Sequence, residues 1–258
     1  MLRFAFGAFI RLFLIVIGLL FYSFLGIYLG EYATPIYLII VTILLYLVFD
    51  KKNWSLGLNH RNQLNYWLYG IWLGFLSLFI VFIIVFVMGG HKIVDEQFEL
   101  RALFAWLMFC FIGAFGEELF IRGYLFGYIK HCWGLAVSVF VSSALFALLH
   151  LTRSGFDILS FFTLLLAGVL YALMREKTGI IWLSFGFHFA WNFFSGVLGI
   201  WRDRSVLFKT ALSQQSLVNG GIYGIEGSIV SVLFFLILIT LFYFRNVQDI
   251  NFRFHMKR

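Results

Sequence analysis

Six residues in three short runs hold most of the acid–base chemistry that lies at depth in this apolar chain. The first run is GEELFIRG, residues 116–123, which sets Glu117, Glu118 and Arg122 among apolar and aromatic neighbours. The second is FALLH, 146–150, ending at His150. The third is HFAWN, 188–192, which carries His188 and Asn192. Burying an ionised carboxylate is costly even after relaxation, so such residues need partners or a chemical role.

Helical geometry separates the two glutamates. Residues four apart lie about 40° apart around a helix axis, and adjacent residues about 100° apart. Glu118 and Arg122 are therefore neighbours on one face, with the acid on the favoured N-terminal side. Glu117 points elsewhere and has no local cation. Glu117 and His150 are equidistant from Trp133–Gly134, the expected centre of a turn. An antiparallel hairpin would bring them face to face. His188 and Asn192 share a face, and the small residues Ser184 and Gly186 beside them would permit close helix packing. A carboxylate base, imidazoles and a carboxamide donor are the groups that water-mediated hydrolysis requires.

Those residues must be positioned by membrane-spanning helices. The sequence has 258 residues, is 62% hydrophobic, 12% charged and unusually rich in Phe, with 35; its mean hydropathy is +0.96. These values lie far outside those of soluble domains. The expected fold is all-α: a polytopic membrane bundle of about eight transmembrane helices, near 4–29, 35–49, 64–88, 100–122, 134–150, 157–174, 179–200 and 226–244. One membrane domain covers 1–258, with a catalytic core at 100–245. The first segment reads as an uncleaved span, being longer than a signal-peptide core and lacking an A-x-A site. With both termini cytoplasmic, thirteen of the 19 Lys and Arg residues fall inside, the orientation that the distribution of positive charge favours. The basic residues form no continuous stripe, so the formal charge of +7 does not point to nucleic acid.

Other polar residues receive structural readings. Arg11 is expected to snorkel to the headgroups. His60, His91, His131 and His255 are expected to be solvated in loops or the tail. Cys110 and Cys132 show no metal or redox spacing and read as inert thiols.

The three runs, taken in order, carry the patterns EExxxR, FxxxH and HxxxN. In this they resemble the CPBP family: type II CAAX prenyl proteases with bacterial bacteriocin-processing and immunity relatives, also called the Abi family. WSLGL at 54–58 resembles a loop found in many members. The resemblance implies an intramembrane endopeptidase acting on a membrane-associated peptide or protein. Carried over by motif, Glu117 would activate water, His150 would help hold it, and His188 and Asn192 would stabilise an oxyanion. Glu118 and Arg122 would support the site. The family has been described as metalloproteases. Glu117, His150 and His188 would be the candidate ligands for one divalent zinc, while a metal-free glutamate base is the preferred expectation. A bacterial inner-membrane location is expected.

Two other functions are consistent with such residues. A non-catalytic immunity or scaffold protein would be marked by loss of site residues, and all six are present. A proton-coupled transporter would show broken helices and repeated halves; the sequence has no evident repeat and a single proline. FFSG, 193–196, lacks the context of a serine protease site.

Overall fold

The computed structural model describes residue 11 and residues 32–59, 62–96, 98–201, 206–212 and 216–244. Helix α1, Ala33–Leu45, passes into a π-helical turn at Tyr46–Asp50. Helix α2 is Gln63–Val87 and α3 is Leu100–Glu118. The latter runs on through a π-helical stretch, Leu119–Leu125, into α4, Phe126–Trp133. Helices α5 (Leu135–Leu148), α6 (Ile158–Thr178), α7 (Trp182–Val197) and α8 (Ile229–Phe244) complete the bundle.

Seven of the eight expected segments are thus helices, while 4–29, apart from Arg11, lies outside the described residues. Among the described residues, four helices are long and apolar enough to cross a membrane: Ala33–Asp50, Gln63–Val87, the 34-residue Leu100–Trp133, and Ile158–Thr178. Helices α5, α7 and α8 are shorter, with 14, 16 and 16 residues. Outward positions are apolar, as at Trp72, Phe79 and Ile237, the arrangement that a lipid solvent stabilises.

The all-α expectation needs one correction. Strands β1, His91–Glu96, and β2, Phe208–Leu212, form an antiparallel pair between the helix ends. His91 is only 2% exposed at the head of β1, beside Phe82, so it is not the solvated loop residue expected from sequence. Pairing with Leu212 draws it in. His131 is exposed on α4 as expected; His60 and His255 lie outside the described residues.

Small residues set the helix spacing. A Cβ on Gly70 would strike the Leu183 carbonyl, and one on Gly186 the Trp67 carbonyl. Helices α2 and α7 therefore meet backbone to backbone, as the small residues on α7 predict. Gly168 of α6 similarly admits Ser143 of α5. The α5 serines do not bridge helices: Ser142 and Ser143 both donate to the Val139 carbonyl of their own helix.

Arg11 behaves differently from expectation. Its Nε and Nη2 reach both oxygens of Asp50, at 3.1 and 2.9 Å, and Tyr124 donates to Asp50 Oδ2 at 2.9 Å. Asp50 is 2% exposed. A buried carboxylate offers a guanidinium more than a headgroup does, because the pair neutralises both charges and satisfies several donors at once.

The WSLGL loop is held by Arg175 and Trp182. Arg175 donates to the carbonyls of Ser55 and Arg122, and Trp182 donates its indole N–H to the Leu58 carbonyl. Gly57, at φ 76°, lies against the Arg175 guanidinium with no room for a side chain.

Candidate active site

A cavity of about 180 Å³ lies among α3, α5, α6, α7 and α8, and Glu117, His150, His188 and Asn192 all line it. Glu118 and Arg122 sit behind its wall, each with no exposed side-chain surface. Glu117, Tyr171 and His188 line it from α3, α6 and α7. Arg153, Trp201 and Glu226 line the end toward the 149–157 and 198–228 connections.

The expected Glu118–Arg122 pair forms, with Nη1 3.1 Å from Oε1. Arg122 also donates to the Gly168 carbonyl at 3.3 Å. Its guanidinium carbon lies 4.4 Å from the centre of the Phe146 ring and 5.1 Å from that of Tyr171. A carboxylate, a carbonyl and two ring faces together replace the water that this buried cation gives up.

His188 joins the two acids. Its Nδ1 lies 3.3 Å from Glu118 Oε1, within hydrogen-bond range, and its Nε2 lies 3.9 Å from Glu117 Oε2. The imidazole stacks on Tyr171 at 5.4 Å and 21° and meets the Phe146 ring edge-on at 5.5 Å. Phe146 thus packs against both Arg122 and His188. Its carbonyl also accepts from His150 Nδ1 at 2.8 Å. A carbonyl can only accept, so Nδ1 bears the proton and, in the neutral ring, Nε2 keeps its lone pair.

Glu117 matches the expectation of an acid without a local cation. Its side chain is 29% exposed, and its buried Oε2 accepts no hydrogen bond among the described residues. Its partner differs from expectation, however. The imidazole facing it is that of His188, not His150, although His150 lines the same cavity. The equidistance argument assumes two unbroken α-helices. Here Leu119–Leu125 is π-helical, with Phe126 N–H bonded to the Ile121 carbonyl five residues back, which resets the rotation between Glu117 and the turn. Helix α5 also ends at Leu148, so His150 stands in the turn beyond it.

A second charged group in the cavity was not singled out from sequence. Arg153 pairs with Glu226 at 2.7 Å. Trp191 donates its indole N–H to the other Glu226 oxygen at 2.9 Å. The Arg153 guanidinium packs against Trp201 at 4.0 Å and Tyr223 at 4.6 Å. Burial, reinforced by the Glu226 charge, pushes the Tyr223 hydroxyl above its ordinary value, which keeps that ring neutral. The Arg153 N–H also bonds to the His150 carbonyl at 3.0 Å. Glu226 therefore ties the turn after His150 to the helix that carries His188 and Asn192. Arg153 and Glu226 are 73 residues apart, and no local spacing links them. Glu226 bounds the last apolar segment, which was its one sequence signal.

Among the described residues, no three His, Cys, Asp or Glu side chains come together closely enough to hold a metal ion. Glu117, His150 and His188 line one cavity without converging as a ligand set. Cys110 also lines it and forms no disulfide.

Residues 99–194 match the family model described as type II CAAX prenyl endopeptidase Rce1-like. That span includes Glu117, Glu118, Arg122, His150, His188 and Asn192, and it ends before Glu226. No curated protein and no solved structure matches the chain.

Proposed function

Taking the likeness of residues 99–194 to type II CAAX prenyl endopeptidases as premise, we propose that this multi-pass membrane protein is an intramembrane endopeptidase that cleaves a membrane-associated peptide or protein. One observation carries the reading. Of two adjacent acids, buried Glu118 is neutralised by Arg122, and part-exposed Glu117 is left facing a cavity shared with two imidazoles and a carboxamide.

The chemistry follows from these groups. Water held by the His150 Nε2 lone pair loses a proton to Glu117 and attacks the scissile carbonyl carbon. The carbonyl π-bond electrons move onto oxygen. The resulting oxyanion accepts hydrogen bonds from His188 Nε2–H and the Asn192 amide. Glu118, within hydrogen-bond range of Nδ1, holds the ring in place as it donates. The intermediate then collapses, the C–N bond breaks, and Glu117 returns its proton to the leaving amine. Glu117, His150, His188 and Asn192 are the catalytic residues in this scheme; Glu118 and Arg122 position them. No step needs a metal.

The eight-span arrangement in a bacterial inner membrane, with both termini cytoplasmic, belongs to the same reading. In that orientation the Arg153 end of the cavity faces the outer side. A cysteine introduced at Lys52 should label from the inside and one at Lys209 from the outside; the reverse pattern overturns the orientation.

Comparative peptidomics of cells carrying wild-type or Glu117→Gln protein tests the activity. Products present only with the wild type are expected. Identical peptide profiles, with both proteins folded and inserted, would overturn the protease reading and favour a non-catalytic membrane partner.

A further inference from the structure

Glycine is less favourable than alanine inside a helix, so a helical glycine needs a reason. Most helical glycines of this chain have one nearby. A Cβ on Gly70, Gly74, Gly116, Gly168 or Gly186 would strike the backbone of a neighbouring helix. Gly89, Gly134 and Gly179 meet nothing within 4 Å among the described residues, but their positive φ angles, between 73° and 85°, explain them as turn residues. Gly113 fits neither case. It lies within α3 without a positive φ, and a Cβ there would meet no atom of the described residues within 4 Å.

Its position supplies the missing reason. Gly113 lines the catalytic cavity, with Phe109 and Glu117 on the same face one turn before and after it. The notch is apolar: Phe109, Cys110 and Ala114 line it from α3. Four residues, about 6 Å along the helix axis, separate it from Glu117. A large side chain on the residue that bears the scissile carbonyl could span that distance.

We propose that the open face of Gly113 is a specificity subsite that receives a large apolar side chain, such as that of Leu, Met or Phe, beside the scissile bond. Phe109 closes the far end and Glu117 the reactive end. An acidic side chain would find no cation on this stretch of α3 and would be rejected by its desolvation cost. The inference rests on the endopeptidase reading and adds to it the class of side chain at the cut.

The test compares cells carrying wild-type, Glu117→Gln, Gly113→Ala and Gly113→Leu proteins by peptidomics, with detergent melts of each purified protein. Cut sites absent from Glu117→Gln cells define the products. Gly113→Leu should lower cleavage beside Leu, Met and Phe by roughly ten- to a hundredfold relative to cleavage beside Gly, Ala and Ser. Gly113→Ala should give a smaller shift in the same direction. Both should melt no lower than the wild type, because the added groups meet open space. Glu117-dependent sites with unchanged preference, or equal loss at all sites, would overturn the subsite alone. A lower melting point for Gly113→Ala would show that the position is packed and would also overturn it. Absence of any Glu117-dependent site would overturn the protease reading and the subsite with it.

Discussion

His188 directs Nδ1 at Glu118, the carboxylate that Arg122 already holds, so one oxygen atom serves a guanidinium at 3.1 Å and an imidazole at 3.3 Å. Arg122 fixes Glu118, Glu118 fixes the ring of His188, and the ring then offers Nε2 to the cavity. The cavity-facing imidazole is oriented from behind, by a pair that has no contact with solvent.

Removing Glu118 should therefore damage both stability and turnover. Glu118→Ala strands a fully buried Arg122 and is expected to cost about 3–5 kcal/mol. Glu117→Ala, at a part-exposed acid without a cation, should cost under about 1 kcal/mol. Thermal melts in detergent decide the order, and the reverse ranking would defeat the pairing argument.

Asn192 should matter only while charge develops on oxygen. Asn192→Ala is expected to lower kcat by about 10²- to 10³-fold with little change in KM. A rise in KM at constant kcat would instead assign it to substrate binding.

Glu226 holds two motif-bearing segments at once, through Arg153 and Trp191. Glu226→Ala should cost about 2 kcal/mol, the range for hydrogen bonds to a charged group. Glu226→Gln keeps an acceptor for Trp191 and should recover part of that loss. Equal destabilisation by the two variants would mean that only the ion pair counts.

Gly186→Ala would drive a methyl group into the Trp67 carbonyl. Overpacking of this kind costs about 1–3 kcal/mol. His188 lies two residues on, so activity at low temperature should fall further than the fraction folded does. Melts and turnover measured on one preparation separate the two effects.

These residues also show what a linear sequence can disclose. Glu118–Arg122 was legible because four residues make nearly one helical turn. The close approach at Gly186 was legible because small side chains have one common use between membrane helices. The partner of Glu117 was not, because a π-helical stretch alters the rotation that spacing arguments assume. Arg11–Asp50 and Arg153–Glu226 join residues 39 and 73 apart, and no periodic pattern encodes contacts set by tertiary packing. The β1–β2 pair was hidden for a similar reason: its strands come from separate connections that only the folded bundle brings together.

The widened turn at Leu119–Leu125 gives the long helix two phases. Above it, the helix presents Glu117 to the cavity; below it, Lys130 reaches Glu176 at 2.6 Å. Arg175 donates to the Arg122 carbonyl inside that stretch. Excising a single residue there, Ile121 for example, would restore an unbroken α-helical thread and turn one half against the other by about 100°. Glu117 would then face a wall, although no residue lining the cavity had been changed.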